Sequence, residues 1–286
     1  MSQPSRSLRV AFESHPSRWY ENAFVYPVIS RRSRGLSIGI NLNPDQRCNF
    51  ACIYCQVDRT RPPRTSAVDL PRVRAELRSL LARPEAIFEH ESFAGVPPEY
   101  RGLRNIAFSG DGEPTRAAEF PEAVRLAVSV RDGLGLSSTP IIVITNATAL
   151  REPAVAATLS FLYGRKGEIW AKLDAGTEAY FRRVNAAGCT LEQVLENILA
   201  AGREQPLVIQ SLFMLINGAG PSPAEIAAYA ARLSWLLKNG CRISRVQVYT
   251  VARRTAQPYV TELHPDELLG ISRQVEAVGV PVELFT

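Results

Sequence analysis

Three cysteines, Cys48, Cys52 and Cys55, fall within eight residues of a 286-residue chain that holds five cysteines in all. The thiolate is the metal-binding form of cysteine. Three of them spaced four and three residues apart on a tight loop can converge on one iron–sulfur cluster and leave one iron without a protein ligand. An open iron is a place for a substrate or a cofactor. An odd cysteine count with three crowded together is a poor layout for a disulfide framework, so the expected use is reduced and metal-binding, in the cytoplasm. Two other readings stand beside this one. A closed structural zinc site would want a fourth protein ligand, yet Cys189 and Cys241 are distant and no histidine lies near the loop. A free cysteine can also be simply a small buried hydrophobe.

The elements that must position this loop follow from hydrophobic periodicity. Short β-branched runs alternate with longer helical patterns, the signature of repeated βα units and a parallel sheet. The strands read as Leu36 to Leu42, Asn105 to Ser109, Ile141 to Thr145, Glu168 to Leu173, Leu207 to Met214 and Ser244 to Val251. The helices read as Leu70 to Arg83, Ala118 to Asp132, Ala149 to Tyr163, Leu191 to Glu204, Pro223 to Lys238 and Pro265 to Val278. Asp69, Thr190 and Ser222 stand where helix caps belong. A short strand from Val280 to Phe285 closes the sheet edge, and residues 85–102, with Pro97-Pro98, read as an irregular insertion. Residues 1–35 read as an N-terminal extension wrapping the outside, and residues 36–286 as one α/β domain, a partial (βα)6 TIM-like barrel. In such sheets the loops at the carboxyl ends of the strands build the active site. The cysteine loop follows the first of these strands.

CxxxCxxC in that position, with Tyr54 just before the last cysteine, resembles the radical S-adenosylmethionine superfamily. The resemblance runs over about residues 36 to 253. It implies a 4Fe-4S cluster held by Cys48, Cys52 and Cys55, S-adenosylmethionine as cofactor, and a one-electron donor such as flavodoxin or ferredoxin. Reductive cleavage of the cofactor then gives a 5′-deoxyadenosyl radical that abstracts hydrogen from a substrate. The second strand ends in Gly110-Asp111-Gly112-Glu113-Pro114-Thr115, similar to the family's GGE element. There glycines admit close backbone approach and Glu113 would take the methionine ammonium; the plainer reading is a turn. Asn146, at the end of the third strand, resembles a position facing the cofactor, or is a helix cap. Lys172 and Asp174 match polar positions against its ribose or carboxylate, or are a buried, paired lysine and its partner. Gln210 and Ser211 resemble the element bracing the adenosine, and the Val251 backbone the adenine contact; packed, internally satisfied polar residues are the alternative.

The runs Asn41 to Arg47, Gly110 to Thr115 and Ala171 to Gly176 look most like the wyosine-synthesis branch. The chain departs from it in having no cysteine before Cys48 to hold a second cluster. Net charge is +5, with Arg31, Arg32 and Arg34 before the first strand and Arg59, Arg61 and Arg64 after the cysteines. Such groups are either a solvated face or a grip on phosphate. No apolar run is long enough for a membrane span and no secretory signal is visible. Three functions therefore stand. One is a radical enzyme acting on a phosphate-bearing small molecule or a modified nucleoside. Another is a radical enzyme acting on a macromolecular partner such as transfer RNA or a protein to be activated. The last is a zinc-stabilised nucleic-acid binder.

Overall fold

The computed structural model describes residues 19–60, 62, 63, 65, 67–253 and 255–286. The reading of the extreme N-terminus, and Arg61 and Arg64 of the second basic group, lie outside them. The chain packs as two compact units. The first comprises the described residues within Met1–Arg47, Arg61–Val143 and Phe161–Gly167, and the second those within Cys48–Thr60, Ile144–Ser160 and Glu168–Thr286.

In the first unit the strand order is β1 (Val25–Ser30), β2 (Gly35–Ile40), β3 (Leu103–Phe108) and β4 (Ile141–Thr145). β2, β3 and β4 run parallel, while β1 pairs antiparallel with β2 from Val25↔Ile40 to Ser30↔Gly35. The extension before residue 36 thus supplies a strand. Its alternation is masked because Val25, Tyr26 and Ile29 are all buried, and strands buried on both faces lose the two-residue period. Glu76 anchors it: its carboxylate accepts the backbone N–H groups of Ala23, Phe24 and Val25 at 2.8–3.0 Å. Glu76 sits on α1 (Leu70–Ala82), whose first turn is capped by Asp69 accepting from the Arg72 N–H. Residues 84–100 are less irregular than expected, folding into two 3-10 turns and the single helical turn α2 (Glu91–Ala94). α3 (Phe120–Gly133) packs Phe120 edge-on to Phe108 at 5.8 Å.

In the second unit the order is β5 (Gly167–Lys172), β6 (Leu207–Leu212), β8 (Ile243–Tyr249) and β10 (Val282–Phe285), all parallel. The expected strand Leu207 to Met214 is split. It ends at Leu212, and β7 (Met214–Ile216) pairs antiparallel with β9 (Val260–Glu262) in a separate ribbon. The helices are α4 (Pro153–Tyr163), α5 (Glu178–Asn185), α6 (Leu191–Glu204), α7 (Pro223–Lys238) and α8 (Pro265–Glu276). α4 starts four residues later than periodicity indicates, at Pro153, a residue suited to a first helical turn. α6 begins with a reciprocal Thr190–Gln193 capping box, and α5 ends where Ala186 turns left-handed at φ 43°. α5 was not legible: at eight residues it is too short to set up a period.

α7 fixes the loop that leaves β5. The Glu225 carboxylate accepts the N–H groups of Gly176 and Thr177 and the Thr177 hydroxyl. Gly176 lies so close to α7 that a Cβ there would stand 2.1 Å from the Tyr229 backbone nitrogen. Backbone cannot yield as a flexible side chain does, so Gly176→Ala is expected to cost about 1–3 kcal/mol, the usual range for overpacking. Thermal unfolding of the variant checks this.

Candidate cofactor site

The cysteine loop belongs to the second unit and is held from several directions. Ala51 N–H donates to Asn185 O at 3.1 Å and Ile53 N–H to Val184 O at 2.9 Å, so the two peptides flanking Cys52 are pinned to the end of α5. Ala256 N–H donates to Cys55 O at 3.0 Å. Asn49, next to Cys48, donates to Thr148 Oγ1 at 2.9 Å and accepts from Asn146 Nδ2 at 2.8 Å, while Asn146 Oδ1 accepts from the Thr148 hydroxyl. Underneath, Phe50 meets Phe181 edge-on at 5.7 Å, and Ile53 and Tyr54 pack against Leu212, Met214, Tyr249 and Phe285. These clamps fix a stretch with no regular hydrogen-bonding pattern of its own.

Each sulfur meets an N–H donor. Phe50 N lies 3.5 Å from Cys48 Sγ, Asn185 Nδ2 3.5 Å from Cys52 Sγ, and Arg59 Nη1 3.3 Å from Cys55 Sγ. Burial, then the nearby Asp174 carboxylate, pushes the Cys52 thiol up to about 12. A metal ion binding the sulfur would displace that proton, since metal affinity and thiol ionisation are linked. Among the described residues no three His, Cys, Asp or Glu side chains form a ready metal-ion site. What fits an iron–sulfur cluster is the donor set: three thiols on one loop, with N–H groups aimed at sulfurs that would carry negative charge.

Behind the loop lies a buried polar network. Asp174, 2% exposed, accepts from Lys172 Nζ at 2.8 Å, Tyr54 OH at 2.5 Å, Asn185 Nδ2 at 3.3 Å and Leu212 N–H at 2.9 Å. Lys172 also donates to Tyr249 OH at 2.6 Å. Burial, then Asp174, holds the Tyr54 hydroxyl protonated, well above the ordinary tyrosine value. For Lys172 burial acts to lower the value, but Asp174 and then Tyr249 outweigh it and raise it. A raised lysine stabilises the fold below its unfolded value and loses that contribution as pH climbs through the folded one. The difference in Tm between the protein and Lys172→Met should therefore hold steady from about pH 6 to about pH 9. It should narrow only beyond the ordinary lysine value of about 10.4, as a pH series of melting curves would reveal.

Register extends the network into a row. Lys172 pairs with Gln210, Gln210 with Gln247 and Gln247 with Glu283 on four successive parallel strands. Gln210 and Gln247 are both fully buried and joined at 2.8 Å. Ser211, one residue on, points to the other face because side chains alternate along a strand. There its hydroxyl bonds Tyr229 of α7. The structure thus gathers Lys172, Asp174 and Tyr54 beside Cys52 and sets Ser211 under a helix. Val251 follows β8 and packs on the same apolar cluster as Ile53 and Tyr54.

Gly110, Asp111, Gly112 and Glu113 belong to the first unit. Asn41 grips Asp111 from both sides, donating to its carboxylate at 2.9 Å and accepting its N–H at 3.2 Å. A Cβ at Gly110 would stand 2.5 Å from Asn41 Oδ1, and one at Gly112 2.2 Å from Arg47 O, so both glycines are needed for close packing. Glu113 is 3% exposed and one carboxylate oxygen accepts the N–H and hydroxyl of Thr115, capping a 3-10 turn. Two residues of the cysteine loop's surroundings escape sequence reasoning. Asn49 carried a signal in adjoining Cys48; Asn185, 133 positions from Cys52, carried none.

Comparison with solved structures places this architecture. A radical SAM methyltransferase from Sphaerobacter thermophilus superposes over 91% of this chain and 68% of its own, with a TM-score of 0.61 and 15% identity. The fold is that of a radical SAM enzyme. It is the α/β partial barrel expected from the sequence. Streptococcus suis SuiB, solved bound to S-adenosylmethionine, matches 90% of this chain and 49% of its own, with a TM-score of 0.58 and 11% identity. No family model matches the chain. In sequence it is 29% identical over 182 residues to the UPF0026 protein MJ1312 of Methanocaldococcus jannaschii, covering 61% of this chain and 48% of that protein. It is also 22% identical over 253 residues to the GTPase Obg of Brachyspira hyodysenteriae, covering 88% of this chain and 33% of that protein. The chain thus spans half or less of the curated relatives it matches. None of its lysines follows a glycine, as the Gly-Lys pair of a P-loop would require. Among the described residues no helix is long and apolar enough to cross a membrane.

Proposed function

We propose that the chain is a radical SAM enzyme that holds a 4Fe-4S cluster on Cys48, Cys52 and Cys55 and cleaves S-adenosylmethionine reductively to abstract hydrogen from a substrate. The supporting observation is a loop with three thiols, each met by an N–H donor, in a chain with this fold. A cluster held by Cys48, Cys52 and Cys55 would supply the one electron that reductive cleavage of S-adenosylmethionine needs. The chain's own residues do the remaining work. The α5 backbone and Asn49 hold the loop, and Phe50 and Ile53 keep water from its underside. Lys172, held in place by the buried Asp174, is the charged group near Cys52 for the polar groups of the cofactor. A preorganised pair of this kind needs no reorganisation on binding.

The electron comes from a flavodoxin- or ferredoxin-like donor. The five cysteines are all free thiols, which suits a reducing cytoplasm. The substrate is a small molecule or a modified nucleoside, free or within transfer RNA. Metal analysis of anaerobically purified protein tests the reading: iron with acid-labile sulfide supports it, and stoichiometric zinc with no iron–sulfide absorbance defeats it. Filter binding of transfer RNA over a salt series decides the RNA branch. Phosphate contacts make affinity fall steeply with salt, and absence of binding at low salt removes that branch.

A further inference from the structure

Resting on that reading, we propose that Asn185 sets the reduction potential of the cluster by donating its amide N–H to the Cys52 sulfur. Asn185 is the last residue of α5 and 2% exposed. Its backbone carbonyl and that of Val184 receive the peptides on either side of Cys52, so side chain and sulfur are held by one frame. Its Nδ2 faces Cys52 Sγ at 3.5 Å, Asp174 Oδ2 at 3.3 Å and Tyr54 OH at 3.5 Å. All three are acceptors toward it, because the Tyr54 proton already goes to Asp174. A carbonyl turned the same way would meet a carboxylate, a sulfur and an oxygen lone pair, so the chemistry of the neighbours dictates which end of the amide points there. The opposite end, Asn185 Oδ1, is buried with no hydrogen-bond partner among the described residues. The side chain is positioned for its N–H alone.

The donors to the other two sulfurs differ in kind. Cys48 is met by a backbone N–H, which no substitution short of proline removes, and Cys55 by the exposed Arg59. Solvent and salt screen an exposed charge, whereas a buried dipole acts at nearly full strength. Reduction adds one negative charge shared by the sulfurs, and an N–H pointing at a sulfur stabilises that charge. Asn185 therefore raises the potential, which makes it a positioning residue: it acts through Cys52 and touches no reacting atom.

The test is an EPR-monitored redox titration of anaerobically reconstituted protein and of Asn185→Leu, which keeps the shape and loses the N–H. The expected result is a lower midpoint in the variant, the reduction equilibrium falling about tenfold, equivalent to about 59 mV for one electron. Asn185→Ala carries the test if the leucine variant does not fold, and Asn185→Gln, which keeps an N–H, should fall between. An unchanged midpoint in iron-loaded Asn185→Leu or Asn185→Ala overturns the assignment of Asn185. A wild-type protein that takes up no iron overturns instead the cofactor reading beneath it.

Discussion

Cys52→Ala protein, reconstituted anaerobically, should retain almost no iron and form no detectable 5′-deoxyadenosine. Cys52 is held closely by protein: the peptides on both sides are bonded to α5, Asn185 donates to its sulfur, and Asp174 stands close enough to raise its thiol. Altering the outer partners of a metal ligand already costs about 10–100-fold in affinity or activity, and removing the ligand itself costs at least as much. Alanine fits the space without new polar burial, so the melting curve of the iron-free variant should stay near that of iron-free wild type. Iron content and chromatography of the cofactor products read the outcome. A variant that still cleaves the cofactor would exclude Cys52 as a ligand.

The second large effect concerns Asp174. Removing one partner of a buried ion pair leaves the other charge uncompensated and costs about 3–5 kcal/mol. Asp174→Ala strands Lys172, which also donates to the Tyr249 hydroxyl, and releases Tyr54, Asn185 and the Leu212 N–H. Lys172→Met should be milder, since Asp174 keeps three donors. The two variants therefore rank by how many groups each leaves unsatisfied. At roughly 2–4 °C per kcal/mol for chains of about this size, Asp174→Ala should melt about 6–20 °C lower. Equal losses in both variants would mean that the pair alone, and not the wider network, matters.

The strands of the βα repeat were legible because each is a short β-branched run bounded by turn residues, and the helices because amphipathic spacing survives in sequence. β1 was not, since burial on both faces erases alternation; α5 was too short, and β7 looked like the tail of β6 because Phe213 and Met214 continue the same apolar run. Of the candidate site, the cysteines declared themselves by spacing and Lys172 by its type in an apolar strand, while Tyr54 and Asp174 came from the family resemblance. Asn185 did neither, because an asparagine at a helix end reads as ordinary termination and its importance comes from a contact between distant segments. Gln210 and Ser211, adjacent in sequence, show the limit in the other direction. Only the pleat reveals that one joins the polar row while the other bonds the helix behind it.

The most direct measurement is the incubation of dithionite-reduced, iron-reconstituted protein with S-adenosylmethionine under strict anaerobiosis, followed by quantitation of products. The account predicts 5′-deoxyadenosine and methionine in equal amounts, accumulating with time and absent without reductant. Protein carrying a full complement of iron and sulfide that leaves the cofactor intact would contradict it.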